Sequence, residues 1–152
     1  MVAKGRRALV AVLALCVLGA LVLALPASAA AAPLAHLETV MTGEKEVPGP
    51  GDPNGIGEAK VKVFRAKVCY RLTAKRIKPA TAAHIHKGRR GEAGPVVVTL
   101  NTPDDGFSKG CEEISRELSR KLREHPARYY VNVHNRPYPA GAVRGQLHHD
   151  DA

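Results

Sequence analysis

The chain has 152 residues, with 23 Lys and Arg against 14 Asp and Glu, a formal charge of +9, three Cys and no Trp. This length leaves room for one folded domain and not two once a leader is set aside. The basic residues are scattered instead of forming one stripe, which argues for a solvated surface over nucleic-acid binding.

Lys4, Arg6 and Arg7 precede an uncharged apolar run from Ala8 to Leu25, and Pro26-Ala27-Ser28-Ala29 follows. A basic start, an apolar middle and a small-residue Ala-x-Ala end read as a secretory signal peptide spanning residues 1–29, with the domain at 30–152. An uncleaved membrane anchor is the competing reading, because the run approaches a spanning length. Lipidation at Cys16 is set aside, since Leu15 stands where a small residue is needed. Removing the three basic leader residues leaves 20 Lys and Arg against 14 acids, a formal +6 that favours anionic partners.

The exported chain retains Cys69 and Cys111. An oxidising compartment joins such a pair, so one disulfide is expected. A thiolate metal site has poor spacing, and nothing near either residue marks an activated thiolate.

From Leu37, alternation of Leu37, Thr39 and Met41 with Glu38, Val40 and Thr42 predicts a strand. Gly43 to Gly57 is rich in Gly and Pro and reads as a long surface loop. Ala59, Val61 and Val63, then Val68, Tyr70 and Leu72, predict two antiparallel strands joined at Arg65-Ala66. Ala82 to His86 is a short strand, followed by a basic, Gly-punctuated loop and the apolar strand Val96 to Leu100. Asn101 to Gly110 reads as turn.

Leu118 and Leu122 at a spacing of four, Ser115 before them and Pro126 beyond predict a helix over 116–124. Tyr129 to His134 is strand, Arg136 to Gly141 turn, and Val143, Gly145 and Leu147 alternate with Arg144, Gln146 and His148. Short strands at about ten-residue spacing with one minor helix predict an all-β fold, an antiparallel β-sandwich, with a small closed barrel as the alternative.

Alternation places His84 and His86 on the face opposite Ile85, and Asn132 and His134 on the face opposite Val131 and Val133. If these strands are neighbours, His84, His86 and His134 converge on one point, and imidazole there suits copper or zinc. The bland alternative is that these imidazoles and Asn132 tie strands and loops together without a metal. Arg144 is placed on a wet face, where it pairs with Glu44 or Glu46 or attracts an anion. The Lys87-Arg89-Arg90 loop raises the positive potential beside His86. His148 and His149, next to Asp150 and Asp151, read as a solvated tail, with adventitious metal binding as the alternative, and His36 and His125 are surface residues. No Ser/His/Asp order, phosphate-cradling glycine loop or paired-carboxylate setting stands out, so hydrolase and nucleotide-binding readings find no support.

Gly43 to Pro48 (GEKEVP), Val68-Cys69-Tyr70, Thr81 to Gly88 (TAAHIHKG), Gly94 to Leu100 (GPVVVTL) and Tyr129 to Leu147 (YYVNVHNRPYPAGAVRGQL) together resemble the CHRD (chordin) domain family, in its single-domain bacterial form. The resemblance implies an exported, immunoglobulin-like β-sandwich module, binding or structural; the chain is further expected to be secreted or held in the cell envelope, monomeric and free of a membrane span after signal cleavage. In animal chordin such modules belong to an antagonist of bone morphogenetic proteins; growth-factor binding is not carried over to a single module with this leader.

The chain is also similar, more faintly, to Cu/Zn superoxide dismutases, where a His-x-His strand and a later Val-x-His bind copper. His84, His86 and His134 match those ligands, and Arg144 matches the arginine that guides the anionic substrate. That likeness implies copper in preference to zinc and leaves enzymatic activity open. Val96-Val97 stands where that family has its bridging His, and a zinc loop is missing, so the likeness extends to one metal.

Overall fold

A computed structural model describes residues 31–150. The expected signal peptide lies outside the described residues. Nine strands form one antiparallel sheet: β1 (Ala35–Thr42), β2 (Ile56–Val63), β3 (Lys67–Lys75), β4 (Ala80–Lys87), β5 (Val96–Leu100), β6 (Phe107–Glu113), β7 (Tyr129–Asn135), β8 (Val143–Gln146) and β9 (His148–His149). Their order is β5-β4-β7-β8-β1-β2-β3-β6, with β9 pairing to β1.

The sheet curls until its outer strands nearly meet, giving a sandwich-like, almost barrel-like body. Asn101, just past β5, makes the junction: its carbonyl accepts from Ser108 Oγ at 2.7 Å and its Nδ2 donates to the Lys109 carbonyl at 3.0 Å. The all-β reading holds, including the one helix, α1 (Arg116–Glu124).

Period-2 patterning explains the strands. In β2 every second residue, from Gly57 to Val63, is buried, and Val68, Tyr70 and Leu72 do the same in β3. These side chains meet Leu37, Met41, Ile85, Val131 and Val133 in one core. Ser115 Oγ caps α1 by accepting from the Leu118 N–H at 3.0 Å. Leu122, fully buried, anchors the helix, and Ser119 Oγ donates to the Phe64 carbonyl at 2.6 Å.

Strand β6 occupies part of the stretch read as turn. Phe107-Ser-Lys-Gly-Cys-Glu-Glu carries no apolar alternation because its inward positions are taken by small residues such as Ser108. What holds it is the ladder to β3, in which Cys69 and Cys111 stand directly opposite. They form the expected disulfide across 42 residues of sequence. Replacing both, Cys69→Ala with Cys111→Ala, is expected to cost about 3 to 4 kcal/mol, the loop-closure entropy of a link of this span. Urea unfolding measures this, and an unchanged midpoint would contradict it.

Among the described residues, no helix is long and apolar enough to cross a membrane.

Candidate metal centre and its covered polar face

Strands β4, β7 and β8 are consecutive in the sheet, and their pairing fixes which side chains share a face. His86 stands opposite Tyr130, which stands opposite Gln146; His84 stands opposite Asn132, which stands opposite Arg144; Ala82 stands opposite His134. Ala83, Ile85, Val131 and Val133 point into the core, each at most 1% exposed. The polar set therefore occupies the other face, as alternation predicts. Opposite His134, the small Ala82 leaves room for the diagonal contact with His84.

His84 Nδ1 and His134 Nε2 are 3.1 Å apart. One ring nitrogen from each of His84, His86 and His134 lies within 4.8 Å of the others, and all three residues are partly buried. Two ligands at about 2 Å from one ion span at most about 4 Å, so the widest pair closes slightly on binding by ring rotation.

Two of the rings are held from behind. His86 Nδ1 donates to the Gly94 carbonyl at 2.9 Å, and His134 Nδ1 donates to the Pro139 carbonyl at 3.0 Å. A carbonyl only accepts, so both rings carry their proton on Nδ1 and present the Nε2 lone pair. His86 Nε2 is buried and has no hydrogen-bond partner. Burial is the main cause that lowers the pKa of each imidazole, aided at His84 by its two neighbours and at His86 by the Arg144 charge. The rings are thus neutral near pH 7, the form that binds a metal.

Arg144 corrects the expectation of a wet face. It is 2% exposed. The guanidinium carbon lies 3.4 Å from the centre of the Tyr130 ring, and Nη2 donates to the Arg89 carbonyl at 2.8 Å. His86 stacks on the same ring at 4.8 Å and 7°. Since His86 and Arg144 come from the strands on either side of β7, Tyr130 is sandwiched between them.

The cover comes from the 43–55 loop, which is not a free surface loop. Gly51 N donates to the Gly43 carbonyl at 2.8 Å and Asp52 N to the Ala142 carbonyl at 2.9 Å, drawing the loop onto β8. This buries Glu46, whose two oxygens each accept from Asn132 Nδ2 at 2.8 Å. The residue 141 position must be glycine for the carboxylate to sit there, because a Cβ would lie 2.3–2.4 Å from it.

Burial raises the Glu46 pKa from 4.5 to about 7, against the opposing pull of Arg144, Asn132 and the Val47 N–H. Between those pH values the folded state keeps a proton that the unfolded chain has released. Stability from this group is therefore full below about 4.5 and is lost as pH rises through about 7. Glu46→Gln is expected to flatten that slope, since a neutral amide needs no proton and its N–H can donate to Asn132 Oδ1, which now has no partner. Denaturant unfolding at pH 5 and pH 8 checks this; a variant that keeps the wild-type slope would assign it elsewhere.

Tyr130 is the residue the sequence reading passed over, although alternation with Val131 already puts it on the histidine face. His36, His125, His148 and His149 are exposed, as expected. The pairing of Arg144 with Glu44 or Glu46 gives way to ring stacking, with Glu46 close enough to act only through its charge.

Fold and site together define a disulfide-tied antiparallel β module with a covered polar face built around three histidines. The family model for the CHRD domain matches residues 37–147, a stretch that includes both cysteines, all three histidines and Arg144, and the chain belongs to that family. Membership supports a structural or binding module. Neither a curated protein nor a solved structure matches the chain.

Proposed function

We propose that the chain is an exported binding or structural module of the CHRD type, acting outside the cytoplasm as a monomer on an anionic ligand. The observation that carries this is the family match over residues 37–147. The Cys69–Cys111 disulfide and the +6 charge of the processed chain agree with it. Expression with the leader in a secreting host tests it: the recovered protein is expected to begin at about residue 30 by N-terminal sequencing and to carry no free thiol. Protein retained in the cytoplasm with an intact leader would overturn it.

A second reading, one bound metal at His84, His86 and His134, is favoured by the buried, partnerless Nε2 of His86, whose ring, like that of His134, keeps its proton on Nδ1. Copper is preferred over zinc, and three imidazoles leave it an open position. Superoxide dismutation guided by Arg144 is the narrower form of this reading. Faster superoxide decay by copper-loaded protein, slowed in Arg144→Lys with copper retained, would support it; decay no faster than with the metal-free protein would remove it.

A further inference from the structure

Beside the histidine cluster, a cavity of about 200 Å³ opens between β8, β1 and the two loops that fold over them. Lys45 reaches it from the turn after β1, Arg90 from the β4–β5 loop and Arg144 from β8, with Thr39, Gln146 and His148 completing most of the wall. Three cationic side chains from separate parts of the chain thus share one small space, and no acidic residue lines it.

Like charges brought together this way repel, and the acids near them offset this only through space, Glu46 and Glu92 at Arg144 and Glu44 at Lys45, with no direct ion pair. The ion pairs among the described residues involve Lys60, Arg120 and Lys121, not these three. Lys45 Nζ donates to the Val40 carbonyl, and Arg144 Nη2 to the Arg89 carbonyl, so both heads are fixed by neutral acceptors. Partial desolvation of the ammonium and the charge of Arg90 lower the pKa of the otherwise exposed Lys45, with Glu44 opposing. Acids lie nearby but face elsewhere: Glu46 is engaged by Asn132, Glu92 accepts from the Arg89 N–H, and Glu44 is exposed. Gln146 is fixed in the wall, its two Nε2 hydrogens shared among the carbonyls of Gly88, Ala127 and Tyr129 at 2.7–2.9 Å.

We infer that Lys45, Arg90 and Arg144 form a binding pocket for a divalent tetrahedral oxyanion, phosphate or sulfate, free or as the terminal group of a larger molecule. Three formal positive charges favour a dianion over a monocarboxylate, and guanidinium N–H groups match the spacing of oxyanion oxygens. The cavity lies below the size of pockets for drug-sized ligands, about 300–1,000 Å³, and accepts one such group. The inference rests on the binding-module reading and gives it a ligand chemistry; it does not require a metal.

The test is calorimetric titration of the metal-stripped, dialysed, disulfide-bonded protein with inorganic phosphate, then sulfate, with acetate as the monoanion, all at matched ionic strength. One saturable equivalent of phosphate is expected, displaced by sulfate and bound more tightly than acetate. The double variant Lys45→Ala/Arg90→Ala, both positions exposed, is expected to weaken phosphate by about tenfold or more, as loss of charge-assisted hydrogen bonds does. A variant of equal charge loss, Lys75→Ala/Lys78→Ala, is expected to bind as wild type. Absence of saturable phosphate binding, or equal weakening in both double variants, would overturn the pocket. Either result would leave the module reading intact, since that reading fails on export and processing instead. If the pocket stands, a phosphorylated sugar and a sulfated sugar titrated in turn distinguish which terminal group it prefers.

Discussion

His134→Ala is expected to lower Cu(II) affinity by more than about 100-fold, because loss of a partner behind a metal ligand already costs about 10- to 100-fold and this change removes the ligand itself. His84→Ala should match it. The two residues come from different strands, β4 and β7, and meet only because the strands pair with His84 opposite Asn132 and Ala82 opposite His134. The fold is expected to survive both changes, since the imidazoles stand on the face away from the core and Ile85, Val131 and Val133 keep their contacts. Isothermal titration with unchanged circular dichroism reads the effect. Wild-type affinity in either variant, with the loss appearing only on truncation before His148, would assign copper to the C-terminal tail and end the metal reading.

Tyr130→Ala is expected to destabilise the domain by about 3 to 5 kcal/mol, the usual cost of deleting a large buried aromatic side chain. Tyr130 is 3% exposed and lies between the His86 ring and the Arg144 guanidinium. Deleting it opens a cavity and leaves a buried cation without its aromatic face. It also removes the hydroxyl that accepts from the Gly94 N–H at 3.2 Å, and Gly94 supplies the carbonyl that orients His86. Tyr130→Phe keeps the ring and should cost only about 1 kcal/mol, the worth of one hydrogen bond. Chemical denaturation separates the two variants. Equal, small losses would show that the stack does not hold the face together.

Much of this face was legible in the sequence. His-x-His around Ile85 and Asn-x-His around Val133 fix orientation by alternation alone, and the paired strands deliver it. The helix was legible because Ser115, Leu118, Leu122 and Pro126 are local signals with local causes. The buried state of Arg144 was not, because the β8 pattern reports only which face a residue takes, not what folds over that face. The cover comes from Glu46, about a hundred residues earlier, seated beside Gly141 in a loop whose Gly and Pro content reads as exposed. Strand β6 was hidden for a related reason: its ladder to β3 and its cysteine, not its own apolar pattern, make it a strand. Lys45 and Arg90 likewise join Arg144 only through tertiary folding, and their meeting leaves no trace in local spacing.

The most direct test of the shared histidine centre is a crystal of the mature domain soaked in Cu(II), with anomalous diffraction recorded at the copper edge. The account predicts one strong peak between β4 and β7, with nitrogens of His84, His86 and His134 each about 2 Å away. A peak confined to His148 and His149, or none on the β4–β7 face, would contradict it.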